Sequence, residues 1–173
     1  MTPRFGYFWG CYTQARLPQI EKSARALMEH LGIDCIDLDG LTCCPERTMI
    51  RNMSRTAWLL TAARNLCIAE EQGVHFATPC PGCLGTLRGA AVEIRSDPAV
   101  RDEMNRELAK VGRCYRGQAT ALHILDLLYR QFGASGIRQR VRYPMHGLRI
   151  AVHYGCHLFK PSDELGFDDP RKP

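Results

Sequence analysis

The chain has 173 residues, of which 45% are hydrophobic and 24% charged, with a net charge of +5 and nine cysteines. That composition excludes a disordered chain, which would be poorer in apolar residues, and a collagen-like one, which would place Gly at every third position. The length suits one domain, or a domain plus a fragment, and is ample for a single buried core. The longest apolar stretch, from Ala57 to Leu66, is interrupted by Arg64 and falls short of the roughly 20 apolar residues of a spanning helix. No secretory pattern follows Met1, so the expected location is the cytoplasm. Basic residues are scattered except for Arg138, Arg140, Arg142 and Arg149, which read as a solvated face or docking edge and not as a nucleic-acid site.

In chain order, Phe5 to Trp9 reads as a short strand running into a turn at Gly10-Cys11. From Pro18 a helix is expected, with Ile20, Ala24, Leu27, Met28 and Leu31 on one apolar stripe and Gly32 as its stop. Asp34 to Leu38 forms the next strand, and the loop beyond Asp39-Gly40 carries Cys43-Cys44-Pro45. Ser54 caps a helix to about residue 72 that turns Trp58, Leu59, Ala62, Leu66 and Ala69 inward. Val74 to Thr78 is a third strand, entering Pro79-Cys80-Pro81-Gly82-Cys83 and a helix through Leu84, Leu87 and Ala91. Asp97-Pro98 opens a helix through Val100, Met104 and Leu108 to Gly112. Another helix is expected from about Ala119 to Phe132, and a last strand from Leu148 to His153, ending at Tyr154-Gly155-Cys156.

Strands alternating with long helices imply an α/β fold, a mainly parallel sheet with crossover helices. Sites in such sheets form beyond the carboxyl ends of the strands. Cys11, Cys80 and Cys156 each follow an expected strand directly, and Cys43-Cys44 follow another by a few residues, so the thiols should converge on one edge.

Five cysteines form the informative set. Thirty-one residues separate Cys11 from the Cys43-Cys44 pair, 35 more precede Cys80, and two lie between Cys80 and Cys83. Thiolates are soft anionic ligands, and a Cys-x-x-Cys turn presents two sulfurs together. Neighbouring side chains diverge, so Cys43 and Cys44 would both bind only by reaching different metal atoms. That favours a polynuclear iron-sulfur centre over a single structural zinc ion, the competing reading for Cys80, Cys83 and two other thiols. Disulfides are disfavoured by the compartment, and the Cys-Cys pair makes a thioredoxin-like reading of Cys80-Pro81-Gly82-Cys83 less economical. Cys35, Cys67 and Cys114 are read as packing or idle thiols; His153 and His157, which flank Cys156, are read as ordinary turn residues, with tuning of a redox site or orienting of a substrate as the alternative.

Phe8-Trp9-Gly10-Cys11-Tyr12 and His153-Tyr154-Gly155-Cys156-His157 share a pattern of aromatic or His, aromatic, Gly, Cys, aromatic or His, at an offset of 145 residues. Read as an internal repeat, it places the counterpart of Cys44 beyond Pro173. The expectation is one complete cysteine-rich unit, residues 1–147, followed in 148–173 by the first strand and turn of a second.

Taken with the helix Trp58-Leu59-Leu60-Thr61-Ala62-Ala63-Arg64-Asn65-Leu66, these motifs resemble the B-type subunit of heterodisulfide reductase, of the cysteine-rich CCG-domain family, from Phe5 to about Asp169. The resemblance implies that Cys11, Cys43, Cys44, Cys80 and Cys83 ligate a noncubane four-iron four-sulfur cluster, and through it form the catalytic site. Cys156 would be the first ligand of a second cluster whose other four ligands this sequence lacks. In the family, two such clusters face each other across a disulfide substrate and cleave its S–S bond reductively. The implied partners are a ferredoxin-like iron-sulfur subunit, similar to the C-type subunit of heterodisulfide reductase, a flavoprotein further upstream, and a small thiol or disulfide. A non-catalytic electron-transfer or assembly module is the alternative from a different class.

Overall fold

Strand β1 (Phe5–Tyr7) is buried along its whole length, because it is paired on both sides. In the computed structural model, which describes residues 4–153 and residue 158, it lies between β2 (Cys35–Ile36) and β3 (His75–Thr78). Beyond β3 lies β4 (Ala121–His123), giving an all-parallel sheet in the order β2-β1-β3-β4. The register pairs Gly6 with both Ile36 and Phe76, and Thr78 with His123.

Strand alternation divides the apolar residues between two faces. Phe8 and Phe76 point into one core, with Trp58, Leu66, Leu84, Leu87, Met104 and Leu108. Phe5, Tyr7, Trp9 and Ala77 point into the other, with Met28, Ile124 and Leu127. The first core is closed by α4 (Arg55–Glu71), α5 (Pro81–Ser96) and α6 (Pro98–Ala109), the second by α2 (Pro18–His30) and α7 (Ile124–Arg140). Helices on both faces of a parallel sheet are the α/β architecture expected from the sequence.

Local signals account for most helix ends. Pro18 and Pro98 occupy the first helical positions of α2 and α6. The Ser54 side chain accepts the Ala57 N–H to open α4, and Asp97 accepts from Ala99 and Val100 to open α6. Two short helices, α1 (Cys11–Arg16) and α3 (Ile50–Met53), have no counterpart among the elements expected from the sequence.

Three expectations need correction. Only Ala24 and Met28 of the α2 stripe are buried; Ile20 and Leu27 are exposed, because Arg25 covers Tyr7 and Trp9 where a wider apolar stripe would have packed. The helix expected from Ala119 begins only at Ile124, since Ala121–His123 pairs with the free edge of β3, and it runs on to Arg140 across a kink at Gly133 (φ 63°). Residues 148–153 form no strand: Leu148, Ile150 and Val152 are 59–65% exposed, and no described strand pairs with them. The alternating pattern is present, but a strand needs a partner edge, and these residues pair with neither of the open edges, on β2 and β4. Cys156 and His157 lie outside the described residues.

Candidate functional site

The chain passes from β1 to β2 on one side and then crosses to β3 on the other, so the strand order reverses between β1 and β3. A crevice at such a reversal, beyond the carboxyl ends, is where open parallel sheets bind ligands. Cys11 leaves the end of β1 and Cys80 the end of β3, on its two sides, and the loop after β2 brings in Cys43 and Cys44.

The five sulfurs form one continuous series. Cys11 and Cys43 Sγ are 3.5 Å apart, and Cys44 and Cys83 Sγ are 3.1 Å apart. Cys83 is also hydrogen-bonded to Cys80. The adjacent pair, hydrogen-bonded to each other, reach different outer partners: Cys43 meets Cys11 at the surface, while Cys44 and Cys83 are buried, 8% and 2% exposed. The site therefore runs from open to sealed within five residues.

Their electrostatics differ accordingly. The hydrogen bond with Cys83 holds the Cys44 thiol below its ordinary value, and the same bond, with that to Cys80 and burial, raises Cys83. Burial and the nearby Cys11 push Cys43 up to about 12. Cys44 is thus more ready to lose its proton than Cys43 or Cys83. It faces the start of α5, where Cys80 is the N-cap and Cys83 the third helical residue, so unpaired N–H groups and the helix dipole favour negative charge there.

Among the described residues no set of three or more His, Cys, Asp or Glu is spaced to hold a metal ion. Two thiolates on one tetrahedral zinc, at about 2.3 Å each, would stand about 3.8 Å apart. The contacts here are shorter, as between thiols hydrogen-bonded to one another. The chemistry of the donor set fits an iron-sulfur group: five sulfurs in one series, with the adjacent pair reaching Cys11 on one side and Cys83 on the other.

Four buried polar side chains, none of them expected from the sequence to act at the site, hold the cysteine loops. Asn65, fully buried in α4, accepts the Thr42 N–H at 2.9 Å and donates to the Thr42 carbonyl at 3.3 Å, one residue before Cys43. Thr86 donates to the Pro45 carbonyl at 3.0 Å, one residue after Cys44. Thr78 accepts the Cys80 N–H at 3.2 Å, and His123 bonds the Pro79 carbonyl at 3.1 Å. A signal for Asn65 was present: it lies on the same helical stripe as Trp58, Ala62 and Ala69, where a polar side chain needs a buried partner.

Gly10 is required by the close approach of Cys83. Its backbone, at φ 73° and ψ 156°, is nearly closed to other residues, and an added Cβ would lie 2.6 Å from Cys83 Sγ. Gly10→Ala is expected to cost about 1–3 kcal/mol in urea unfolding. It should also speed alkylation of Cys83 by displacing it from Cys44; unchanged stability and Cys83 reactivity would contradict this reading.

A cleft of about 360 Å³ opens between the loops after β1 and β2, with Cys11 and Cys43 in its lining. One wall is a stack: Tyr7 and Trp9 rings lie 4.4 Å apart, and the Arg25 guanidinium lies 4.9 and 4.7 Å from their ring centres. Arg25 also grips both Asp37 oxygens at 2.8 and 2.7 Å, which keeps that carboxyl below its ordinary value.

The remaining sequence assignments fall outside this cluster. Cys67 is buried in the first core, and burial pushes it up to about 12. Cys35 is half-buried in β2, and Cys114 is exposed. His153, Arg142 and Arg149 are exposed, while Arg138 and Arg140 lie in the last turn of α7, with Arg140 over the Phe132 ring at 4.5 Å.

Residues 5–88 match the family model of the cysteine-rich domain, CCG. The chain is 34% identical over 170 residues to the B-type subunit of the ferredoxin/F(420)H(2)-dependent CoB-CoM heterodisulfide reductase of Methanosarcina acetivorans, covering 98% of this chain and 56% of that relative. It is 31% identical over 173 residues to the 8-methylmenaquinol:fumarate reductase membrane anchor subunit of Wolinella succinogenes, covering 100% and 59%. The chain thus spans little more than half the length of these relatives. A crystal structure of a hypothetical protein from Helicobacter pylori shares the fold, with a TM-score of 0.66 at 19% identity over 78% of this chain and 26% of that one. None of the described helices is long and apolar enough to cross a membrane. Motif, placement and identity along nearly the whole chain agree: the chain belongs to the cysteine-rich CCG-domain family that includes the B-type subunits of heterodisulfide reductase.

Proposed function

We propose that the chain serves as the iron-sulfur subunit of a heterodisulfide reductase-like complex, reducing or forming a small-molecule disulfide. Electrons would be exchanged with a ferredoxin-like subunit similar to the C-type subunit of heterodisulfide reductase, and through it with a flavoprotein. The observation that carries this reading is the unbroken series of Cys11, Cys43, Cys44, Cys83 and Cys80 at the sheet's reversal point. Those five would hold a noncubane four-iron four-sulfur cluster. When bound, such a cluster supplies single electrons and a thiophilic iron site.

The chain's own residues divide the remaining work. Asn65 and Thr86 fasten both ends of the Cys43-Cys44 loop, so its sulfurs are positioned before any ligand arrives. The core around Cys44 and Cys83 excludes water from the inner side. Cys11 and Cys43 are exposed and line the cleft, which suits it to admit a sulfur-bearing substrate from solvent. The proposed organisation is one cysteine-rich unit in residues 1–147 and the start of a second in 148–173, with Cys156 as a ligand of the second cluster. The proposed location is the cytoplasm, where thiols stay reduced.

The test is disulfide-dependent oxidation of the reduced, anaerobically reconstituted protein. Adding a small mixed disulfide is expected to restore the bleached visible absorbance and release two thiols per disulfide, with no such effect from the matching thioether. Equal responses to the two compounds would overturn the proposal.

A further inference from the structure

We propose that His123 is a positioning residue for the Cys80-x-x-Cys83 turn, acting through the peptide that joins Pro79 to Cys80. The inference rests on the reading of the five thiols as a cluster site.

His123 ends β4 in register with Thr78, the last residue of β3, so its ring sits beside the point where the chain leaves the sheet toward Cys80. Both ring nitrogens are used. Nδ1 accepts the Leu125 N–H at 3.2 Å and caps α7, which leaves Nε2 to donate to the Pro79 carbonyl at 3.1 Å. That carbonyl and the Cys80 N–H belong to one planar unit. The Cys80 N–H is held by Thr78 Oγ1 at 3.2 Å, so the peptide plane is fixed from both edges, and with it the direction in which Cys80 projects. The side chain of His123 is 6% exposed, which removes water as a competing partner.

The same first turn of α7 is tied to the helix that carries Cys83. Asp126, 3% exposed, stands 4.0 Å from Arg88 of α5 and accepts from Arg130 Nε at 2.6 Å. His123 therefore sits where α7, β3 and α5 meet, and its two hydrogen bonds do separable jobs. One starts a helix; the other aims a cysteine.

Two substitutions separate those jobs. In His123→Asn the amide occupies the position of Nδ1 and keeps an N-cap acceptor, but cannot reach the Pro79 carbonyl. In His123→Gln the amide reaches the position of Nε2 and keeps a donor to Pro79, but gives up the cap. The first readout uses the metal-free reduced protein: site-resolved iodoacetamide alkylation by mass spectrometry, with exposed Cys114 as the internal reference. The second is the midpoint potential and EPR spectrum of the reconstituted protein.

His123→Asn is expected to raise Cys80 alkylation several-fold relative to Cys114 and to shift the potential, with thermal stability near that of the unmodified chain. His123→Gln is expected to leave Cys80 reactivity and potential nearly unchanged while lowering the melting temperature more. Equal effects of the two substitutions on Cys80, or none from either, would overturn the assignment. If the unmodified chain takes up no iron, the cluster reading fails, and the alkylation ratio still decides whether His123 positions Cys80.

Discussion

Replacing Cys43 and Cys44 together by alanine is expected to abolish iron binding and leave the fold in place. The pair supplies one sulfur to the surface half of the series and one to the buried half, so the double substitution breaks both the Cys11 and the Cys83 contacts. The cost to folding should be small by comparison, because both residues lie in a loop and only Cys44 is buried in the core. Iron bound after anaerobic reconstitution should fall from about four per chain to less than about one, the far-ultraviolet circular dichroism remaining that of the unmodified protein. Iron retained at full stoichiometry in the variant would show that the pair is not part of the site. The thiols of Cys67 and Cys114 provide the control: alanine at either should leave iron content unchanged, since Cys67 is influenced by Glu70, Glu71, Arg113 and Cys114 and by none of the five.

A large effect on stability is expected from Asn65→Ala. Asn65 is fully buried in α4 and serves the backbone of Thr42 at both its N–H and its carbonyl, and accepts the Thr42 hydroxyl at 3.2 Å as well. Alanine would take away all three of these bonds at once and leave a void in the fully buried position of Asn65, although Thr42 itself is exposed and water can replace part of what its backbone loses. A hydrogen bond that water can partly replace contributes about 0.5–1.5 kcal/mol, and the buried side of Asn65 loses its packing as well, so a loss of about 1–3 kcal/mol is expected in urea unfolding. The same change frees the residue before Cys43, so reconstituted iron should also be lost faster to a chelator. A variant within about 0.5 kcal/mol of the unmodified protein would mean that Thr42 finds other partners and that Asn65 does not anchor the loop.

The parts of this molecule that could be read in the sequence are those whose cause is local. Ser54 and Asp97 cap their helices through atoms two or three residues away, and Pro18 and Pro98 set the first turn by their rings, so these helices begin where the sequence places them. The cysteine series was legible because each thiol follows a strand end or lies in the loop after one, and parallel strands deliver their carboxyl ends to one edge. What was not legible depends on a partner distant in sequence. Ala121–His123 lies in an apolar run that suits helix or strand equally, and only the open edge of β3 decides for strand. Leu148, Ile150 and Val152 show the converse: they alternate as β1 does, at the offset of the repeated motif, yet stand exposed where Phe5 and Tyr7 are 5% exposed. Asn65 lies within the Trp58-to-Leu66 helix but was not singled out there, and His123 carries no motif; their roles arise because α4 packs behind the Cys43-Cys44 loop and β4 ends beside Pro79. The buried stripe of α2 is narrower than its periodicity suggests for a similar reason, since the stacking of Arg25 on Tyr7 and Trp9 joins residues from separate elements.

The most direct measurement is iron, zinc and acid-labile sulfide content with EPR on the anaerobically purified, unmodified chain. The five-thiol site is expected to hold about four iron and four sulfide per chain, with a paramagnetic signal that appears or vanishes on a change of redox state. One zinc per chain, or a colourless protein whose iron stays below stoichiometry after reconstitution, would contradict it.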